Sequence, residues 1–112
     1  RIAPAAIANP LGFGQTLCEL DRLVRGSVDV VLVGPRGDPR IKSLAAAIFS
    51  RWIPNRSVAW VDPDSPASRE ACPLLAEGKE AKGAPVAYVC RGRACSLPVA
   101  DAEALGALLD VP

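Results

Sequence analysis

The spacing of apolar residues along the chain changes period several times, and each change marks a predicted element. Phe13, Leu17, Leu20 and Val24 recur at i, i+4, i+7 and i+11, the spacing of one helix face, and Gly26 ends the run. Val28 to Val33 is almost wholly apolar and rich in β-branched residues, and it closes at Gly34 and Pro35. Such a run predicts a central strand covered on both faces, with Asp29 at its entry end. Asp38 then stands where a carboxylate accepts from the free N–H groups of a first helical turn, and Pro39 suits the first helical position. Ile41, Leu44, Ala45, Ile48 and Trp52 fall on one stripe of that helix until Pro54 intervenes.

Ser57 to Val61 predicts a second short strand, ended by the turn-forming stretch Asp62, Pro63, Asp64, Ser65 and Pro66. Strand, helix and strand in succession imply a right-handed parallel crossover. From Ser65 or Pro66 a shorter helix is predicted through Cys72 and Leu75 to Gly78, kinked or split by Pro73, and the polar connection Lys79 to Gly83 follows. Val86 to Cys90 and Cys95 to Val99 read as a hairpin with Gly92 at the first central position of a type II′ turn. Pro98 puts the second of these strands at a sheet edge. Asp101 caps a last helix that turns Ala104, Leu105, Leu108 and Leu109 inward. The fold class is therefore α/β. The strand order expected is second, first, third, fourth, with the third strand antiparallel to the others and helices over both faces.

This order over residues 28 to 109 resembles the thioredoxin-like fold, helix-β-α-β-α-β-β-α. Its best local detail is Gly83, Ala84 and Pro85, because thioredoxin-like domains place a cis proline just before the terminal hairpin. The resemblance thus implies a cis bond at Pro85. Those domains also carry Cys-x-x-Cys after the first strand, where this chain has Arg36, Gly37, Asp38 and Pro39, so a thioredoxin-type redox centre is absent. Three segments narrow the likeness: Val33 and Gly34 with Gly37 to Arg40, then Ile53 to Asn55, then Gly83 to Pro85 with Ala87 to Cys90 and Cys95. Together they resemble the carboxy-terminal end of the YyaL-like family, the group that includes spermatogenesis-associated protein 20. That family combines an amino-terminal thioredoxin domain, an α/α barrel similar to N-acylglucosamine 2-epimerases and a small terminal α/β region. The resemblance implies that residues 1-26 end the parent's helical barrel and that 27-112 form the α/β domain. No family site residue falls within these positions.

Composition narrows the function. A chain of 112 residues holds one core. Its 13 basic and 12 acidic side chains are dispersed and nearly balanced, which removes the electrostatic footprint of nucleic-acid binding. The longest apolar runs are too short to span a bilayer, and no basic-then-apolar leader opens the sequence. A soluble, cytoplasmic protein with no nucleic-acid or membrane partner is expected. Arginine outnumbers lysine ten to three, a bias that fits a GC-rich bacterial genome. The chain opens at Arg1 without Met, so it is expected to be a segment of a longer protein.

Candidate chemistry is sparse. The candidate anion-binding loop is Gly34, Arg36, Gly37 and Arg40 at a helix start, where backbone N–H groups and two cations converge. It lacks dinucleotide glycine spacing, and turn and cap chemistry accounts for every residue in it. Asp62 and Asp64 likewise suit a turn better than acid–base work. With no histidine and no activated serine or lysine, no catalytic residue, metal site or cofactor is expected. The four cysteines, Cys18, Cys72, Cys90 and Cys95, read as small buried hydrophobes. Cys90 and Cys95 are also the candidate redox pair. With Gly92 and Arg93 as loop residues, the two cysteines oppose each other in a non-hydrogen-bonded pair, at a Cα separation of about 4.5 Å. In a reducing cytoplasm they are expected to be free thiols, packed on one face with Tyr88 and Leu97.

The reading that follows is a non-catalytic accessory domain packed on the helical barrel of its parent. The alternative is a redox-active or site-completing domain that uses Cys90 and Cys95. If Phe13, Leu17, Leu20 and Val24 pack on the sheet, then Leu11, Cys18 and Leu23 need another partner, either the parent chain or a second copy in a homodimer.

Overall fold

The computed structural model describes residues 2–111, and its sheet is organised around β1 (Val28–Val33), whose last four residues are buried. A strand with apolar side chains on both faces has to be flanked by strands and covered from both sides. β1 runs parallel to β2 (Arg56–Val61), from Val28 opposite Arg56 to Val33 opposite Val61. It runs antiparallel to β3 (Val86–Arg91), which pairs in turn with the short β4 (Ala94–Cys95). The order is β2-β1-β3-β4, as the sequence predicts.

Side chains alternate across a strand, so the two faces of β1 enter two separate clusters. Val30 and Leu32 join Ala87 and Val89 of β3 under α3 (Pro39–Phe49) and α6 (Ala102–Leu109), whose Ile41, Leu44, Ile48, Leu105 and Leu109 complete the larger cluster. Val31 and Val33 join Ala59 and Val61 under α4 (Pro66–Ala71) and α5 (Pro73–Ala76). Pro73, which has no N–H to continue a helical ladder, separates α4 from α5. Both predicted aspartate caps are present: Asp38 accepts from the Arg40 N–H and Asp101 from the Ala104 N–H, each at 2.8 Å.

Several expectations need correction. α3 stops at Phe49, and Trp52 is 93% exposed instead of extending the inward stripe. The Arg56 guanidinium donates to the carbonyls of Ile48 and Arg51, which satisfies the helix end, and Pro54 disfavours helical backbone at the residue before it. β4 ends at Cys95. Beyond it the Ser96 N–H and hydroxyl bind the Val89 backbone, only Val99 returns to bridge Ala87, and Leu97 points to solvent. Pro98 has no N–H with which to continue the ladder. On α6, Leu105 and Leu109 are buried but Ala104 is exposed.

The Ala84–Pro85 bond is trans, against the cis bond implied by the resemblance. Trans is favoured at X–Pro by about 0.5–1 kcal/mol, and the missing Cβ at Gly34 leaves room for the buried Pro85 ring in this form. Neither α1 (Ala3–Ala8) nor α2 (Gly14–Arg25) contributes to either cluster. Phe13 and Leu17 are half-buried, Leu20 and Val24 are exposed, and none of the four packs on the sheet as expected. The reason is steric, because the two faces are already occupied by α3 with α6 and by α4 with α5.

Candidate functional site

The β3–β4 hairpin carries the candidate redox pair, and its turn sets the pairing. Gly92 has φ 61°, whereas Asn55 is the one non-glycine residue with positive φ among the described residues, so Arg93 has a negative φ as a type II′ turn requires. Arg91 therefore opposes Ala94, and Cys90 opposes Cys95. The expectation of two free thiols is overturned, since Cys90 and Cys95 form a disulfide across a Cα separation of 3.9 Å. Opposed residues at a non-hydrogen-bonded site are the closest in an antiparallel pair, which brings the two sulfurs within bonding reach. Cys90 is 4% exposed, while Cys95 lies exposed on the edge strand.

Register places Ser57, Asp29, Cys90 and Cys95 in one row on one face of the sheet. The next row, Ala59, Val31 and Tyr88, belongs to the smaller apolar cluster. The Tyr88 hydroxyl donates to the Glu80 carbonyl at 2.9 Å and fastens the preceding loop over this face. The two remaining cysteines are free: Cys18 is exposed, not buried as expected, and Cys72 is half-buried with its thiol donating to the Ser68 carbonyl.

Gly34, Arg36, Gly37 and Arg40 lie at the other end of β1, where the chain's own carboxylates accept from the Arg36 N–H and from Arg40. The Arg36 N–H donates to Asp62 at 3.4 Å, and its guanidinium lies over the Trp60 ring at 5.3 Å from the centroid. Trp60 Nε1 donates to the Gly34 carbonyl at 3.0 Å. Arg40 gives both its N–H and its guanidinium to Asp38. Asp62 also accepts from the Asp64 N–H, so these two aspartates organise the turn.

The hydrogen bonds from Arg40 hold the Asp38 carboxyl below the ordinary aspartate value of 3.8 and keep the Arg40 guanidinium more firmly protonated. A lowered carboxylate pKa contributes stability that is present above the unfolded value and is lost as pH falls through the folded one. The Asp38 side-chain carboxyl should therefore titrate by NMR below 3.8 in the native chain and return toward that value in Arg40→Gln. An unchanged midpoint in the variant would refute the pairing. The stability effect should be small because the pair lies at the surface.

The chain is similar to human spermatogenesis-associated protein 20. It is 34% identical over 82 residues, which cover 71% of this chain and 10% of the human protein. The likeness supports a relationship to that family over part of the chain, and the chain spans about a tenth of the relative's length. No family model matches the sequence. No solved structure matches it.

The surface missed by sequence reasoning surrounds Trp52. Trp52, Ile53, Pro54 and Asn55 form a wall shared by two grooves of about 540 and 440 Å³. Val28, Leu109 and Val111 line the larger one, and Leu17, Cys18 and Asp21 of α2 line the other. The arginines of the larger groove are engaged: Arg51 with Asp110, Arg25 with Asp21, and Arg91 with the carbonyls of Leu108 and Val111. Asn55 Nδ2 ties α2 to this wall by donating to Asp21 at 2.7 Å. A tryptophan two residues before a proline was the available signal in the sequence. Among the described residues, no group of Cys, Asp and Glu side chains is arranged to hold a metal ion, and no helix is long and apolar enough to cross a membrane.

Proposed function

We propose that the chain is a non-catalytic accessory domain of thioredoxin-like fold, which packs on the rest of a longer protein through α1, α2 and the Trp52 wall. The carrying observation is that α2 has no buried residue and leaves Leu23 and Val24 at 80% and 84% exposure. Ile7 and Leu11 beside it are similarly open, at 78% and 95%. A helix of fewer than about 12–15 residues is marginal in water without tertiary packing, so these apolar positions favour a partner surface. The radius of gyration, 16.3 Å, exceeds the value of about 13 Å typical of a folded chain of this length. The likeness to one tenth of a much longer human protein supports the same reading, with that protein's remaining chain as the natural type of partner. By family resemblance the partner would be an epimerase-like helical barrel. The thioredoxin-like assignment is supported by the strand order and by helices on both faces, without Cys-x-x-Cys.

Leu23→Glu combined with Val24→Glu tests the proposal. In the 112-residue chain the pair should change stability by no more than about 0.5 kcal/mol, as surface substitutions do. In the longer protein it should expose this region to proteolysis and to faster amide exchange. Equal behaviour in the two settings would overturn the docking role. Loss of a sedimenting dimer of the short chain, with the longer protein unaffected, would instead assign the surface to self-association.

A further inference from the structure

We propose that Cys90–Cys95 is a thiol–disulfide exchange site, opened at Cys95 by small thiols or dithiols, with Asp29 as the positioning residue that directs and slows the opening. This goes beyond the accessory reading and does not depend on it. A thiolate attacks a disulfide along the line of the S–S bond, from the side opposite the leaving sulfur. With the sheet ordered β2-β1-β3-β4, the bond runs outward from β3 to the edge strand. Extended past Cys95, that line leaves the sheet on its open edge, where Cys95 is exposed. On the other side of Cys90 the next strand is β1, whose Asp29 is the register partner of Cys90 on the same face. Cys90 itself is 4% exposed, so both burial and the Asp29 carboxylate close that approach to an anionic nucleophile.

The attacking thiolate forms a bond to Cys95 Sγ, the S–S electron pair passes to Cys90 Sγ, and this sulfur takes a proton from water. A second thiol then attacks the reductant's sulfur in the mixed disulfide and releases Cys95 as a thiol. Two electrons and two protons enter the protein, and two thiols leave as one disulfide. Asp29 acts on the first step, because the emerging Cys90 thiolate forms beside its carboxylate and is disfavoured by like charge. Opening need not unfold the edge, since the Ser96 and Val99 bonds to β3 do not depend on the sulfurs.

Peptide mapping after reaction with oxidised glutathione tests the assignment. In Cys90→Ser, Cys95 should take up glutathione at least about tenfold faster than Cys90 does in Cys95→Ser, as reactivity follows access and thiolate character. In the native disulfide form, millimolar reduced glutathione followed by acid quenching should trap the adduct on Cys95, and Asp29→Asn should open several-fold faster. The acid-quench arm needs no cysteine variant, so it stands even where a serine variant unfolds. Equal or faster modification at Cys90, or a bond that resists millimolar thiol without denaturant, would overturn the site. Opening in Asp29→Asn at the native rate would overturn the role given to Asp29.

Discussion

Replacing Gly34 by alanine should destabilise the chain by about 3 kcal/mol, measured as a lower urea midpoint at unchanged slope. A Cβ at this position would lie 2.8 Å from the Pro85 Cβ and 2.9 Å from Ile41 Cδ1 and Cγ1. Ile41 Cδ1 is a side-chain end, but it is locked in the core, so neither neighbour can move aside cheaply. Pro85 is ring-locked and buried at the entry to β3, and Ile41 is fully buried in the larger cluster. One methyl group would therefore push apart the end of β1, the start of α3 and the start of β3. Gly37, three residues on, is the control. Its Cβ would meet nothing within 4 Å, so Gly37→Ala should be neutral or slightly stabilising through the unfolded chain. A Gly34→Ala midpoint as high as that of Gly37→Ala would show that the close approach at Gly34 does not contribute to stability.

Leu105→Ala should be at least as damaging, lowering stability by about 3–4 kcal/mol. Leu105 has no exposed surface, and it carries α6 into the cluster where α3, β1 and β3 meet. Truncation removes that burial and leaves a cavity that the flanking strands cannot close, because β1 and β3 are fixed by their ladder. For a domain near this size each kcal/mol lowers the melting temperature by roughly 4–8 °C, so calorimetry should record a fall of more than about 10 °C. Leu97→Ala supplies the contrast, as Leu97 is 85% exposed beyond the end of β4 and its loss should be nearly silent. A similar effect at both positions would contradict the burial described for α6.

Much of this architecture was legible in the sequence because it depends on local chemistry. The β-branched run Val28 to Val33, the Asp38 and Asp101 caps, the break at Pro73 and the turn at Gly92 each act over a few residues. They decide an element whatever surrounds it. Register followed as well, since a two-residue turn leaves one way to align Cys90 with Cys95. What the sequence did not determine was competition for space and partners. Trp52 fits the α3 stripe, but Arg56, from the next strand, ends the helix first by taking its carbonyls. Phe13, Leu17, Leu20 and Val24 share a helical face, yet periodicity says only that a face is apolar and not what covers it. With both sides of the sheet filled, Leu20 and Val24 stay open to solvent. In the candidate loop, Arg36 and Arg40 looked free until the fold brought Trp60 and Asp62 to the first and the cap brought Asp38 to the second. The sulfur chemistry divides in the same way. Turn length set the pairing of the two cysteines, but the edge position of β4 and the place of Asp29 across β3 decide which sulfur a thiol can reach, and only the assembled sheet supplies those.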